Sequence, residues 1–536
     1  MSIIDVLKTP ELEEISTDIC IAGAGAAGIT LASELAISGR EICLIESGGM
    51  GPDLSTQSLY DLENVGYPIR PNYMSRARYF GGSCNLWAGR SMALSRFDMA
   101  PRSWVANSGW PIPHAELERY YPRAGQILRL PDPRCLDAAH LRDAMSPTER
   151  LILDDGALAP TVSLWAKRPM RFGARYRSVI SRAANLRLAL NASVVSVDLG
   201  ESGRSVESLT IATLAGRRLA VRARQYVLAC GGLENARLLL VSRSRHAAGV
   251  GNGYGLVGRF YMDHPRAVYG VVDLSDARRL DLLRGLPLRD GKLQIGIGLS
   301  EETQRREGLL NHYATFESMV SDYTEARYRS LIDSMKILLR RGHAGNRWSV
   351  GRVDVSSAPN LIYLLSPKEL VPHFLYRWYT LSRRVLPGGA GSNKFVVVYF
   401  CEQPPDPDSR VTLSHDTDLL GMQRIFLNWR VGGEIERTVK FLQQRISLVL
   451  AATGIGRLEA PRDAIEYTDA SHHMGTTRMS DTPREGVVDI NSKVHGVDNL
   501  YIAGSSVFPC AGHANPTVTI IALTLRLSDH LRSALG

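Results

Sequence analysis

The earliest pattern along the chain is a short apolar run, Asp18-Ile-Cys-Ile-Ala22, followed by a glycine turn, Gly23-Ala-Gly25-Ala-Ala-Gly28. A helix is expected over 29–38, and a second apolar run, Glu41-Ile-Cys-Leu-Ile-Glu46, comes next. Short runs without polar interruption fit strands covered on both faces, so the order reads strand, turn, helix, strand. The regular alternation then stops. A Gly/Ser/Pro-rich stretch runs through Arg90, and a helical region is expected from there to about Arg182. Strand-like segments follow at 186–190, 194–199, 208–213 and 218–221, and then Gln225-Tyr-Val-Leu-Ala-Cys-Gly-Gly232, an apolar strand ending in a double-glycine turn. We read these segments as a meander that returns the chain to a parallel sheet, with a helix over 233–242. Residues 265–459 mix strands and helices without a nucleotide pattern and are assigned to substrate enclosure. Within them, 369–386 places Val371, Phe374, Leu375, Trp378, Leu381 and Val385 at helical spacing, read as a core or cap helix rather than a membrane-facing one. Near the end, Asn499-Leu-Tyr-Ile-Ala-Gly-Ser505 is a further short strand, and an apolar helix extends to about Leu531.

Composition narrows the classes without choosing among them. A chain of 536 residues with 44% hydrophobic content buries a large core readily, and 48 glycines suit a backbone wrapped closely around a long ligand. The net charge of +9 is modest for this length, and its densest cluster is Lys336, Arg340, Arg341, His343, Arg347 and Arg352. No basic stripe with interleaved aromatics is present, which argues against nucleic acid as a partner. The seven cysteines are odd in number and form no CxxC pair, and no His/Cys spacing suggests a metal site. Residues 1–17 do not read as a signal peptide, and no apolar run reaches membrane-spanning length. The expectation is a soluble protein of the reducing cytoplasm.

The glycine turn is the first segment that carries chemistry. In a βαβ context Gly23 permits the tight turn, Gly25 lets backbone approach a pyrophosphate, and Gly28 lets the helix pack against the strand. Ala26 and Ala27 lie in the turn as cofactor-binding positions, and the N–H groups at the helix N-terminus face the phosphates. Glu46, eighteen positions after Gly28 at the end of the second strand, accepts hydrogen bonds from ribose hydroxyls and would repel a 2′-phosphate. The site therefore suits FAD or NAD and not NADP.

Two C-terminal segments add polar residues. Cys510-Ala-Gly-His-Ala-Asn-Pro-Thr-Val-Thr519 leads into the last helix; Pro516 fits the first helical position and Asn515 the N-cap, a structural reason for both. Ser471-His-His-Met-Gly-Thr-Thr-Arg478 holds two adjacent histidines, which point in different directions on most backbones and so make poor joint metal ligands. His264, in Asp263-His-Pro265, completes no zinc or iron pattern.

Taken together these segments resemble the glucose–methanol–choline (GMC) oxidoreductase family over nearly the whole chain. The motifs are Gly23/Gly25/Gly28 with Glu46, Gly81-Gly-Ser-Cys-Asn-Leu-Trp-Ala-Gly89, Trp110-Pro-Ile-Pro113, Ala229-Cys-Gly-Gly-Leu-Glu-Asn-Ala-Arg237, Glu402-Gln-Pro-Pro-Asp-Pro-Asp-Ser-Arg410, His472-His-Met-Gly-Thr476 and Asn515-Pro-Thr517. Asn515, where other branches carry a second histidine, is similar to the pyranose-oxidase and glycoside-oxidising branch. The resemblance implies an α/β protein: an FAD-binding two-dinucleotide (Rossmann-like) fold with an α+β substrate-binding domain containing an antiparallel sheet. Residues 1–100, 186–264 and 460–536 would bind FAD, and 101–185 and 265–459 would form the cap. It extends the cofactor cradle from the first turn to Ser47, to Gly81, Gly82, Ser83, Asn85 and Leu86, to Ala229 and Gly231, to Gly504 and Ser505, and to Asn515, Pro516 and Thr517.

The reaction the resemblance implies is oxidation of a CH–OH group, with a secondary hydroxyl of a sugar or glycoside-like molecule as substrate and hydride passing to the flavin. An alcohol proton lies about 9 pKa units above histidine, so full prior deprotonation would cost roughly 12–13 kcal/mol. Removal must be coupled to hydride departure. His472 as base and Asn515 as donor to the substrate oxygen meet that demand, with His473 as a substrate contact. A lyase of the hydroxynitrile type, on the same scaffold and without net redox change, is the alternative. The partner that reoxidises the flavin, oxygen or another acceptor, has no motif. A non-covalent flavin is expected, since Ser83-Cys-Asn-Leu-Trp-Ala-Gly89 has no histidine to tether it and Cys84 reads as a small buried thiol.

Overall fold

The computed structural model describes residues 3–131, 141, 145–153, 156–275, 283, 285–318, 393–460 and 464–534. Cys135, the basic cluster between Lys336 and Arg352 and the expected 369–386 helix lie outside them.

The βαβ unit forms as expected. Glu14–Ala22 and Ile42–Ile45 pair in parallel, with Ile19 opposite Ile42 and Ala22 opposite Ile45. Their apolar runs are buried on both faces, as a strand inside a parallel sheet requires. The connecting helix is Ala26–Leu35, three residues earlier in onset than predicted. Gly28 is the reason. It lies in the first helical turn, where a Cβ would stand 1.9 Å from the Gly23 carbonyl oxygen.

An eight-stranded sheet grows around this unit in the order Ile3–Asp5, Leu186–Leu190, Ile42–Ile45, Glu14–Ala22, Arg218–Leu228, Val206–Ala212, Ser193–Leu199, with Leu500–Ile502 beside Arg218–Leu228. Two expectations need correction here. Leu186–Leu190 is not part of the meander but pairs in parallel with Ile42–Ile45 and Ile3–Asp5. The segments 218–221 and 225–232 are one continuous strand, Arg218–Leu228, whose early part faces the meander and whose length runs along Glu14–Ala22. The residues between the two segments form a solvated stretch of the same strand: Arg222 pairs with Glu14 and Glu207 at the surface.

A nine-stranded sheet lies opposite, in the order Gly456–Glu459, Arg266–Leu274, Lys394–Phe400, Tyr313–Ser318, Gly291–Leu299, Leu158–Ala166, Arg90–Ser91, with Leu286–Leu288 beside Gly291–Leu299 and Tyr467–Thr468 beside Arg266–Leu274. The pairs among these strands are antiparallel. Leu158–Ala166 falls where a helix was expected; its partner, Gly291–Leu299, is more than a hundred positions away, so local pattern does not reveal it. Side chains alternate between faces with period two. Leu293, Ile295, Ile297 and Leu299 enter a core that also holds Ile435, Val439, Leu442, Ile446, Val449 and Leu450 of the helix Gly433–Thr453. Lys292 and Gln294, between them, line a cavity on the other face. The C-terminal helix Thr517–Ala534 packs on Ala26–Leu35 and closes the first sheet. Among the described residues no helix is long and apolar enough to cross a membrane.

The first turn yields a paired prediction. Gly28→Ala should destabilise the fold by about 1–3 kcal/mol or more, because the added methyl meets the Gly23 backbone and the Ile21 side chain. At Gly25 the nearest atom to an added Cβ is 4.0 Å away, so Gly25→Ala should unfold within about 0.5 kcal/mol of wild type. Denaturant titration of both variants checks this; equal destabilisation would contradict the assignment of packing to Gly28.

Candidate active site

A cavity of about 1390 Å³ runs between the two sheets. Of the cradle residues expected from the sequence, Gly23, Gly25, Ala26, Ala27, Glu46, Ser47, Gly82, Ser83, Leu86, Ala229, Gly231, Gly504, Ser505, Asn515, Pro516 and Thr517 line it, together with His472 and His473. Gly28, Gly81 and Asn85 do not. Gly28 packs helix on strand, and Gly81 and Asn85 shape the second turn from behind: Gly81 has φ +101°, and Asn85 Nδ2 donates to the Phe80 carbonyl at 3.1 Å. Glu46 is buried and accepts from Gly48 N at 2.9 Å and Ala24 N at 3.2 Å. Burial pushes its carboxyl up, opposed by the Gly48 N–H and the Arg78 charge.

His472 and His473 sit on an irregular loop that one carboxylate organises. Asp263, fully buried, accepts from its neighbour His264 N at 2.6 Å, from Ala470 N at 3.0 Å and from His472 N at 3.1 Å. The loop is stitched to the same segment by a Met262–Met474 backbone pair at 2.9 and 3.0 Å. It also rests on the double-glycine turn: a Cβ on Gly232 would lie 2.0 Å from the His473 carbonyl oxygen. The adjacent histidines diverge as anticipated. His473 Nδ1 contacts the Tyr261 hydroxyl at 2.9 Å, while His472 turns towards His264 and Asn515.

The geometry around His472 defines its tautomer. Its Nδ1 is 2.9 Å from His264 Nδ1, and Asn515 Nδ2 donates to its Nε2 at 3.4 Å. An Nδ1–Nδ1 contact needs one proton between two lone pairs. With Nε2 accepting from Asn515, His472 carries its proton on Nδ1 and donates it to His264. Nε2 is then a lone pair on the cavity wall. Burial holds all three imidazoles neutral: His472 is pushed well below the usual range, with the His264 and Arg266 charges adding to it. Burial also lowers His264 to about 4 and His473 to about 3. Burial and the neighbouring Asp469 carboxylate push Asp263 up to about 7, against the three backbone donors.

Two sequence expectations change. Asn515 does not cap the last helix. The helix starts at Thr517, Pro516 O accepts from Ile520 N at 2.8 Å, and Asn515 Oδ1 is buried without a partner among the described residues. One residue of displacement turns the carboxamide from the helix towards His472. Cys84 is half-buried on the cavity wall rather than fully buried, and burial pushes its thiol up to about 12. The sequence reading also missed His264, set aside for lack of a metal pattern, and His513, which lines the cavity edge-on to Tyr313 at 4.9 Å. The triplet Asp263-His-Pro265 was the available clue. Among the described residues no three His, Cys, Asp or Glu converge on a metal position.

These residues fit a flavin dinucleotide. Gly231 and Gly504, at φ +93° and +123°, have nothing within 4 Å of an added Cβ on the cavity side of the sheet edge, and Gly25 is nearly as open. The helix Ala26–Leu35 presents its first-turn N–H groups to the same space. Residues 405–524 match the GMC oxidoreductase family. The large subunit of fructose dehydrogenase from Gluconobacter japonicus is 22% identical, over 96% of this chain and 98% of that protein. Paromamine 6'-oxidase from Streptomyces fradiae is 25% identical, over 95% and 90%. The crystal structure of pyridoxine 4-oxidase from Mesorbium loti shares the fold with a TM-score of 0.57 at 17% identity, covering 96% of this chain and 99% of that one. Residues 405–524 thus carry the GMC oxidoreductase match, the full-length relatives and the shared fold extend the similarity over nearly the whole chain, and the protein is an FAD-dependent enzyme acting on CH–OH groups, as an oxidase or a dehydrogenase.

Proposed function

We propose that the protein oxidises a hydroxyl of a sugar or glycoside-like small molecule, a secondary one by preference, with His472 as the base. One observation carries this reading: Nε2 of His472 and the carboxamide of Asn515 meet on the wall of the cavity that the glycine turns also line. The name of the fructose dehydrogenase relative supports a sugar-type substrate. On this reading residues 1–100, 186–264 and 460–536 carry the cofactor and 101–185 and 265–459 enclose the substrate. Six described cysteines are free, which fits a reducing, cytoplasmic setting.

FAD, held without a covalent bond, supplies the hydride acceptor. The chain's own residues supply the rest. Gly25, Ala26 and Ala27 offer backbone N–H groups to the pyrophosphate, and Glu46 takes the ribose hydroxyls. On substrate binding Asn515 Nδ2 moves from Nε2 to the substrate oxygen, and the substrate hydroxyl donates to the Nε2 lone pair so released. A histidine lowered this far is a weak base, so proton removal proceeds together with departure of the carbon-bound hydride. As Nε2 gains the proton, the Nδ1–H bond to His264 becomes charge-assisted and stabilises the imidazolium. Burial under the cap excludes water from this exchange.

The reading is tested by mixing purified protein anaerobically with alcohols, sugars and glycosides and following loss of flavin absorbance; protein that no member bleaches would sink it. His472→Ala should slow flavin reduction by roughly 10²–10⁴-fold with FAD still bound. Asn515→Ala should also slow reduction yet leave unfolding within about 0.5 kcal/mol of wild type, because its side chain caps nothing. Wild-type rates in either variant would remove that residue from the chemistry. Acid precipitation should leave the yellow colour in the supernatant; flavin fluorescence migrating with the denatured chain would contradict the non-covalent assignment and point to Cys84.

A further inference from the structure

The cap side of the cavity is built from two rows of directly opposed residues on the nine-stranded sheet. In one, Arg90 faces Trp165, and Trp165 faces Lys292. In the other, Arg266 faces Phe400, and Phe400 faces Tyr313. Directly opposed residues share a face of a sheet, and all six line the cavity. The two guanidinium groups converge on one ring, with Cζ of Arg90 4.4 Å and Cζ of Arg266 4.7 Å from the centroid of Phe400.

Their hydrogen-bonding capacity is largely unused. Arg90 is 9% exposed, and its Nε and Nη2 are buried with no partner among the described residues. Nε of Arg266 and Nε1 of Trp165 are in the same condition. Every one of these groups is a donor. An aromatic face offsets part of the cost of burying a cation but supplies no acceptor in the plane of the guanidinium. Glu317 and Glu466 also line this end; the Glu317 charge partly offsets the burial of Arg266, but among the described residues neither carboxylate comes within ion-pair distance of Arg90 or Arg266. Arg70, the other arginine at this end, is already paired with Asp469 at 3.6 Å.

The buried Arg90 with Nε and Nη2 unpartnered, the half-buried Arg266 with Nε unpartnered, and an indole N–H beside them match a group with several in-plane acceptor oxygens and a negative charge. Resting on the alcohol-oxidation reading above, we propose that this wall is a subsite for an anionic group, carboxylate or phosphate, carried by the hydroxylated substrate. The subsite selects acidic sugars over neutral ones and turns the reactive hydroxyl towards His472. The Arg266 charge is among those that hold His472 in its neutral form, so an anion bound at Arg266 also raises the basicity of Nε2 while substrate is present.

Calorimetric titration of the FAD-loaded protein with cyclohexanecarboxylate, its uncharged carboxamide and inorganic phosphate tests binding without turnover. The carboxylate or the phosphate should bind at least about 10-fold tighter than the carboxamide, and the preferred anion should lose about 10- to 100-fold in affinity in Arg90→Met and in Arg266→Met. Which anion wins identifies the group. Equal affinity for the carboxylate, phosphate and carboxamide overturns the subsite, as does anion affinity unchanged in both variants. If the variants fail to fold, the wild-type comparison decides by itself. In parallel, anaerobic flavin reduction is compared for a hexose, the corresponding hexuronic acid and a hexose phosphate. Flavin bleached by the neutral hexose at least as fast as by either acid defeats the subsite and leaves the oxidation reading standing. Selective, arginine-dependent anion binding with no bleaching by any of the three defeats the oxidation reading and leaves the subsite.

Discussion

Buried backbone N–H groups in irregular segments need acceptors, and in this protein one carboxylate meets that need in the loop that carries His472 and His473. The loop from Asp469 to Thr476 belongs to no helix and almost no strand. Asp263 gathers the N–H groups of His264, Ala470 and His472, while Asp469 takes those of Arg70 and Ser471. Ser471 is held at φ +61°, a conformation a serine adopts only when its surroundings compel it. Leaving such donors without an acceptor would cost about 1–3 kcal/mol each. The same carboxylate therefore ties the two histidine-bearing segments together and brings His264 against His472. Its own burial beside Asp469 is the counterpart of that arrangement.

The two sheets divide the remaining work. The parallel sheet ends in glycine turns at Gly23, Gly231 and Gly504, where backbone without side chains leaves room for a long cofactor beyond the strand ends. The antiparallel sheet uses alternation instead, interrupted by one bulge between Val268 and Val271. Ala267, Tyr269, Val397 and Tyr399 go to the core, while Arg266, Val268, Val398 and Phe400 go to the cavity. One sheet is made open by the residues it lacks, and the other is made specific by those it displays. Gly296 shows how closely this is fitted, since a Cβ there would stand 2.4 Å from the Tyr313 ring.

How much of this was legible depended on the range of the interaction. The βαβ unit, the roles of Gly23 and Gly28, and the double-glycine turn follow from local patterns whose physics is local. The divergence of His472 and His473 was equally readable, because neighbouring side chains on an extended backbone cannot face the same way. What escaped were contacts between distant segments. Leu158–Ala166 is a strand only because Gly291–Leu299 pairs with it. His264 matters only because Asp263 draws residues 470–472 onto it, some two hundred positions later. The cap assigned to Asn515 failed by a single residue, since local preference allows the helix to begin at Pro516 and only the packing sets its start at Thr517. The segments 218–221 and 225–232 read as separate because the partners that keep 222–224 in one strand, among them Glu14 and Glu207 at Arg222, lie on other strands.

The account turns on the proton carried by Nδ1 of His472, which leaves Nε2 free to receive another. Single-turnover flavin reduction in His264→Asn and His264→Leu tests it directly. Asparagine places a carbonyl oxygen where His264 Nδ1 accepted, so His264→Asn should reduce flavin within a few-fold of wild type. Leucine fills the space and accepts nothing, so His264→Leu should be slower by about 10- to 100-fold, the effect of losing one charge-assisted hydrogen bond. A leucine variant as fast as wild type, or an asparagine variant as slow as the leucine one, would contradict the assignment of the proton.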